Sequence, residues 1–148
     1  MANAHLENRP SLSITRTCAA SPEKVWRAWT DQEALKQWFG PDDGGPVLLA
    51  EVDVRVGGRY HIRFQTNDGQ THDVSGVYRE VIPHEKLVFT WGWKSTPERE
   101  SLVTVALRPS GAGTELRFLH ERFVDVEARD QHEQGWTGSF AKLDLYLA

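Results

Sequence analysis

Apolar and polar residues alternate with a period of two along most of the chain, from Val47 to Phe123. Such alternation predicts strands with one buried face and one exposed face. The first of these strands is expected to run through Val52, Val54 and Val56 to a two-residue turn at Gly57-Gly58. Further short turns follow, and an earlier strand contains Leu12, Ile14 and Cys18. The pattern therefore predicts an antiparallel meander of six to seven strands.

Two short helices are predicted between the first strand and the meander. Ser21-Pro22 supplies an N-cap residue followed by proline at the first helical position. Thr30 and Glu33 have the spacing of a capping box, which makes Thr30 the predicted N-cap of the second helix. Gly40-Pro41 is expected to end that helix, because glycine suits the left-handed closing position and proline cannot continue a helix.

The C-terminal segment changes to the helical period. Trp136, Phe140, Leu143 and Leu147 lie on one face of a helix from about Val126 to Leu147. That face must be buried, and the predicted sheet is the only surface large enough to receive it. We therefore expect an α+β fold, with residues 11–148 as one domain and residues 1–10 as a flexible N-terminal segment.

Composition and charge narrow the class of protein. The 148 residues include one cysteine and 39% hydrophobic residues, which suits a folded domain that needs no disulfides. The 17 Lys and Arg against 21 Asp and Glu give a net charge of −4, so nucleic acid is not expected as a partner. The sequence shows no signal peptide or apolar run of membrane-spanning length, so we expect neither membrane insertion nor export but a cytoplasmic location.

Several short motifs, in order, resemble one known family. They are Arg16, Ala20-Ser21-Pro22, Val25-Trp26, Trp29-Thr30-Asp31, Trp38-Phe39-Gly40-Pro41, Asp53-Val54-Arg55-Val56-Gly57-Gly58, Gly76-Val77-Tyr78, Leu87-Val88-Phe89-Thr90-Trp91, Gly113-Thr114-Glu115-Leu116, His120-Glu121, Gly135-Trp136, Leu143 and Tyr146-Leu147. From Ser11 to Ala148 the chain resembles the activators of heat-shock-protein-90 ATPase, in the SRPBCC superfamily. The resemblance implies the START-like, birch-pollen-allergen-like helix-grip fold, with a curved sheet around the long helix and an apolar cavity between them. The family includes cochaperone domains, lipid or polyketide binders and aromatic-ring cyclases, so fold alone does not fix function.

Common catalytic and metal-binding motifs are absent from the sequence. Cys18 lies at apolar parity on a strand with no local base, as expected for a buried structural thiol. The six histidines show no metal-ligand spacing, and the glycine pairs do not form a phosphate-binding loop. No catalytic residue, metal or cofactor is predicted.

Aromatic residues and histidines at inward positions are the candidates for a ligand site. His120 shares parity with Phe118 on the last strand, and His132 shares the face of Trp136 on the long helix. Both histidines could therefore face the space between sheet and helix, either as satisfied core residues or as polar groups of a pocket. The predicted ligand-binding set is Trp38, Tyr60, Tyr78, Trp91, His120, His132, Trp136 and Phe140.

The favoured function is binding of a small apolar or aromatic ligand in this cavity, with no assigned chemistry. One alternative is a cyclase-type enzyme in which His120 or His132 carries a proton and Tyr78 or Arg16 polarises a carbonyl. Arg16 also has a simpler interpretation, as a residue at a strand end that reaches solvent or a carboxylate. The other alternative is a chaperone-interaction module with a chaperone as partner. The sequence is compatible with a monomer or a homodimer.

Overall fold

Seven strands and three helices make up the part of the chain that the computed structural model describes, residues 8–148. Residues 1–7 of the expected N-terminal segment lie outside the described residues. The strands are β1 (Leu12–Cys18), β2 (Val47–Val52), β3 (Arg59–Gln65), β4 (Thr71–Ile82), β5 (Lys86–Trp93), β6 (Ser101–Ser110) and β7 (Gly113–Glu121). The helices are α1 (Pro22–Thr30), α2 (Gln32–Trp38) and α3 (Val126–Leu147). None of these helices combines the length and apolar composition needed to cross a membrane.

The strands form one antiparallel sheet in the order β1-β7-β6-β5-β4-β3-β2. Strands β1 and β2 follow each other along the chain but occupy opposite edges, and α1 and α2 connect the two edges. The helix α3 packs on the concave face of the sheet, as its apolar stripe predicts. Phe118 on β7 meets both Trp136 and Phe140, with ring centroids 4.6 and 5.3 Å apart. The predicted α+β architecture is therefore confirmed.

The strand β2 is shorter than its sequence pattern predicts. It ends at Val52, and Val56 is 64% exposed in the loop that follows. In this loop the Gly58 N–H donates to the Arg55 carbonyl (2.8 Å), and a Cβ on Gly58 would lie 2.0 Å from the Asp53 carbonyl oxygen. The alternation of valines thus continued past the end of the strand, where the chain coils into a loop instead of the expected two-residue turn.

The second helix also begins one residue later than its capping-box spacing predicts. Helix α1 continues through Thr30, whose hydroxyl donates to the Trp26 carbonyl (2.8 Å). Asp31 is the N-cap of α2, and its carboxylate accepts from the Ala34 N–H (2.9 Å). The capping role therefore falls to Asp31, because the Thr30 side chain is already bonded within α1.

Candidate functional site

A cleft of about 410 Å³ opens between α3 and the β3, β4 and β5 side of the sheet. Three parts of the chain form it: the strands with the turn between β3 and β4, the loop that follows α2, and the middle of α3. Its lining residues are Phe39, Gly40, Pro41, Asp42, Phe64, Thr66, His72, Trp91, Trp93, Gln131, His132, Gln134, Gly135, Trp136 and Ser139.

The loop after α2 is held firmly as one wall of this cleft. The Lys142 ammonium on α3 donates to the Asp42 carbonyl (2.9 Å), and burial lowers its pKa from the ordinary value although Asp43 and Asp42 oppose the shift. The Asp42 carboxylate accepts from the Asn67 N–H (2.6 Å) in the turn between β3 and β4. The loop is therefore bonded both to the helix and to the sheet.

Five Phe and Trp rings stand among the residues that line the cleft. Trp91 lies between Trp93 and Trp136, with ring centroids 5.4 and 5.1 Å away. Phe39 contacts Trp91 at 6.1 Å and Phe64 at 5.7 Å. Such a surface suits an apolar or aromatic ligand, because flat rings offer a large contact area and stack at these separations.

Two tryptophans donate hydrogen bonds to two histidines at the inner end of the cleft. The Trp93 indole N–H donates to His132 Nε2 (2.9 Å), so His132 Nδ1 carries the proton and donates to the Ala128 carbonyl (2.7 Å). The Trp136 indole N–H donates to His120 Nδ1 (3.0 Å). His120 Nε2 then carries the proton and donates to the Ser101 hydroxyl (2.7 Å).

These bonds and burial keep both histidines neutral. Burial lowers the pKa of His120 well below its ordinary value, and His132 lowers it further. Burial also lowers the pKa of His132, partly opposed by its bond to the Ala128 carbonyl. A second proton on either ring would point an N–H at an indole N–H. Each histidine therefore acts as a fixed acceptor for its tryptophan.

Stability is expected to fall as the pH drops below about 6.5. The unfolded histidines bind protons near their ordinary pKa of 6.5, whereas the folded ones do so only at lower pH. The contribution of the two neutral histidines to the free energy of unfolding is therefore complete above that pH. Below it, the free energy of unfolding decreases by at most about 1.4 kcal/mol per pH unit for each histidine. Chemical denaturation at several pH values between about 7.5 and 5.5 measures this slope.

His132→Gln should make this slope shallower, because one of the two titrating groups is removed. Equal slopes in the wild type and His132→Gln would contradict the assignment of the pH dependence to the buried histidines.

The structure brings three of the eight predicted ligand residues into the cleft: Trp91, His132 and Trp136. His120 is fully buried behind them, with its ring centroid 5.2 Å from that of His132. Phe140 and Trp38 are fully buried in the core, where the Trp38 indole N–H donates to the Ala28 carbonyl (2.9 Å).

Tyr60 and Tyr78 face a separate void under α1 and α2. Its volume is about 20 Å³, which is room for about one water molecule rather than a ligand. The Tyr60 hydroxyl donates to the Thr90 carbonyl (2.5 Å), and burial raises the pKa of Tyr78 above its ordinary range. The end of the predicted cavity nearest α1 is thus largely filled by side chains.

Several cleft residues were absent from the predicted set. Phe64 and His72 share the inward parity of their strands, and Trp93 that of Trp91, so the alternation could have identified all three. The contributions of Pro41 and Gly135 carry no such signal, because they depend on how closely the loop approaches α3.

Arg16 and Cys18 lie outside the cleft. The Arg16 guanidinium pairs with the Asp144 carboxylate (Nε to Oδ2, 3.4 Å) and lies 5.6 Å from the centre of the Phe140 ring. Cys18 is buried, and burial raises the pKa of its thiol, with a further contribution from Asp144. Within residues 8–148, no group of His, Cys, Asp and Glu side chains is arranged to hold a metal ion.

Comparison with known proteins gives the same assignment from sequence and from structure. Residues 19–148 match the sequence profile of the family described as "Activator of Hsp90 ATPase homolog 1-like protein". The human protein "Activator of 90 kDa heat shock protein ATPase homolog 1" is 28% identical over 126 residues, which are 84% of this chain and 33% of the human protein. The mouse protein of the same name is 26% identical over the same shares. The chain thus spans about a third of the length of these curated relatives.

Solved bacterial structures share the whole fold. The AHSA1 protein from Silicibacter pomeroyi is 32% identical, with a TM-score of 0.81 over 93% of this chain and 97% of that one. A protein from Chromobacterium violaceum is 29% identical, with a TM-score of 0.84 over 93% and 96% of the two chains. These neighbours confirm the helix-grip fold that the motifs implied. The chain belongs to the family of activator of Hsp90 ATPase homolog 1-like proteins.

Proposed function

We propose that the protein binds a small apolar or aromatic molecule in the cleft between the sheet and α3. The observation that carries the proposal is an open space of about 410 Å³ walled by the rings of Phe39, Phe64, Trp91, Trp93 and Trp136. Ligand pockets start at about 300 Å³ and combine apolar walls with a few polar groups.

Polar side chains at the cleft can orient such a ligand. Thr66, Gln131 and Gln134 are among the lining residues, and each carries hydrogen-bonding groups. A few polar groups within apolar walls are the usual composition of a ligand site. The favoured ligand is therefore aromatic or aliphatic with at least one hydrogen-bonding group.

The cyclase alternative gains no support from the geometry. His120 and His132 have both ring nitrogens in hydrogen bonds, and their pKa values are lowered by burial. Tyr78 faces the void under α1, and Arg16 pairs with Asp144. The proton carriers and the carbonyl-polarising groups thus do not meet at a common point, as that chemistry requires.

Filling the cleft is expected to weaken ligand binding. Gly135→Leu adds a side chain on the cleft wall, and its Cβ fits because the nearest atom, Pro41 Cβ, would be 3.7 Å away. N-phenyl-1-naphthylamine, a neutral aromatic probe, should bind the wild type with increased fluorescence and bind Gly135→Leu at least about tenfold more weakly. Glu133→Leu is the matched control, because it adds the same side chain at an exposed position of α3.

Native mass spectrometry of protein purified without denaturation complements the probe. A small molecule that remains with the wild type and is absent from Gly135→Leu would support the proposal and give the mass of the ligand. Probe binding that is equal in the wild type and Gly135→Leu would contradict it.

A chaperone-related role is a second candidate, favoured by the 28% identity to the human ATPase activator over 84% of this chain. Binding would use the outer surface of the domain, so Gly135→Leu should leave it intact. Isothermal titration calorimetry with a purified 90-kDa heat-shock-protein homologue tests this role directly. The absence of binding heat at concentrations of about 100 μM, where even weak complexes form, would remove it.

A further inference from the structure

A second pocket lies on the opposite face of the sheet from α3. Val88 and Thr90 alternate along β5 with the inward-facing Leu87 and Phe89, so their side chains point outward. They are nevertheless only 5% and 4% exposed, because side chains from β4, from β6 and from the segment after β7 cover this part of the outer face. A pocket of about 370 Å³ remains among the covering side chains, and it shares no lining residue with the cleft. We call it the outer pocket.

Some of the charged side chains that line the outer pocket form ion pairs, and others do not. Within residues 8–148, Arg79 and Arg122 have no carboxylate within 4 Å, although Arg63 and Arg117 on the same face of the sheet do. The Glu80 carboxylate of the pocket pairs with Lys86 outside it (3.4 Å). The two guanidinium groups therefore line the pocket without a paired carboxylate, whereas the Glu80 carboxylate is held by Lys86 and Glu100 is the remaining acidic residue of the lining.

The backbone at Arg122 is held in an uncommon conformation. Its φ of 70° lies in the left-handed region, and His84 is the other non-glycine residue with positive φ in the described part of the chain. The next residue fixes the turn, because Phe123 is 97% buried and its N–H donates to the Pro10 carbonyl (3.2 Å). Such outliers persist where the surrounding structure determines them and are enriched at functional sites.

The floor of the outer pocket contains a free hydroxyl proton. The Thr90 hydroxyl oxygen accepts from the Val77 N–H (2.8 Å), but its own proton has no acceptor among the described residues. The Thr90 carbonyl is already bonded to the Tyr60 hydroxyl. Thr90 can therefore donate to a ligand that enters from the outer face.

We propose that the outer pocket binds a small anion through a phosphate or carboxylate group. Arg79 and Arg122 would provide charge-assisted hydrogen bonds, and guanidinium groups match the geometry of both anions. The Thr90 hydroxyl adds a donor from the floor. Glu100 faces the same space and restricts the rest of the ligand to neutral or cationic groups. This site is independent of the ligand proposed for the cleft.

Titration with inorganic phosphate, and separately with acetate, tests the proposal. Amide chemical shifts are followed by ¹H-¹⁵N NMR at constant ionic strength, so that general screening does not change. We expect saturable shifts at Thr90, Ser101 and Arg122 with at least one of the two anions. Arg79→Gln and Arg122→Asn should each weaken the apparent affinity by about tenfold or more, because each removes a charge-assisted donor. Asparagine at 122 tolerates the positive φ.

Arg117→Gln is the control, because Arg117 lies on the outer face but is paired with Glu115 (2.9 Å) and does not line the pocket. The Arg117→Gln variant should bind phosphate or acetate with the same affinity as the wild type. Shifts that rise linearly with both anions, unchanged affinity in Arg79→Gln and Arg122→Asn, or an equal loss in Arg117→Gln would each overturn the proposal. Thermal unfolding of every variant verifies that it is folded.

Discussion

His120→Ala is expected to lower the free energy of unfolding by about 4 kcal/mol, near the upper end for single core substitutions. The change leaves a cavity in a site that is 0% exposed and removes the acceptor of the Trp136 indole N–H and the donor to the Ser101 hydroxyl. An unpaired buried polar group costs about 1–3 kcal/mol in addition to the loss of packing. Urea denaturation of the wild type and variant measures the difference.

A double-mutant cycle separates the hydrogen bond from the packing. Trp136→Phe retains an aromatic ring but removes the donor, so its effect should be smaller in the His120→Ala background than in the wild type, with a coupling of about 1 kcal/mol or more. Strictly additive effects, or a loss below about 1.5 kcal/mol for His120→Ala alone, would show that the pair is not a structural unit.

Gly138→Ala is expected to destabilise the protein by about 3 kcal/mol, at the upper end of the range for overpacking. A Cβ at this position would lie 2.0 Å from the Pro41 carbonyl oxygen and 3.0 Å from the Pro41 carbonyl carbon. Backbone atoms cannot rotate away as a side chain can, so either the loop after α2 or the helix must move. Because this loop is a wall of the cleft, probe binding should weaken together with stability.

Gly135→Ala provides a matched control on the same helix. Its Cβ would meet only Pro41 Cβ at an ordinary 3.7 Å, so the usual helix preference for alanine over glycine should stabilise the protein by up to about 1 kcal/mol. Thermal or urea unfolding compares the two variants. Changes of the same sign would show that the Pro41 contact does not control the effect of substitution at Gly138.

The strands and α3 were predictable because burial imposes a period that the sequence displays directly. The stripe of Trp136 and Phe140 located α3, and parity placed His120 and His132 in one shared space. Parity reports only which face of an element a side chain occupies. It does not report depth, so it could not distinguish Trp91, which lines the cleft, from Trp38, which is wholly within the core.

The boundaries of the site depend on contacts between segments that are distant in sequence. The cleft wall at Pro41 exists because Gly138 lets the loop touch α3 and because Lys142 bonds to that loop. Likewise, the outer pocket depends on a turn at Arg122 that no local sequence pattern predicts. The β2 and α2 boundaries differed from prediction for a simpler reason, since local hydrogen bonds at Gly58 and Asp31 outweighed the hydrophobic pattern and the capping-box spacing.

The strand order has a consequence for how the chain folds. Strand β1 precedes the other six strands along the chain, and its one partner among the described residues is β7, so that Leu12 meets His120. During synthesis β1 has no strand partner until β7 has emerged, and its apolar face is covered by α3 only later still. Contacts this distant in sequence slow folding, because the chain must close a large loop before it gains their stabilisation. The β1 to β7 junction is therefore expected to form late, with the central hairpins of β3 to β6 assembling before it.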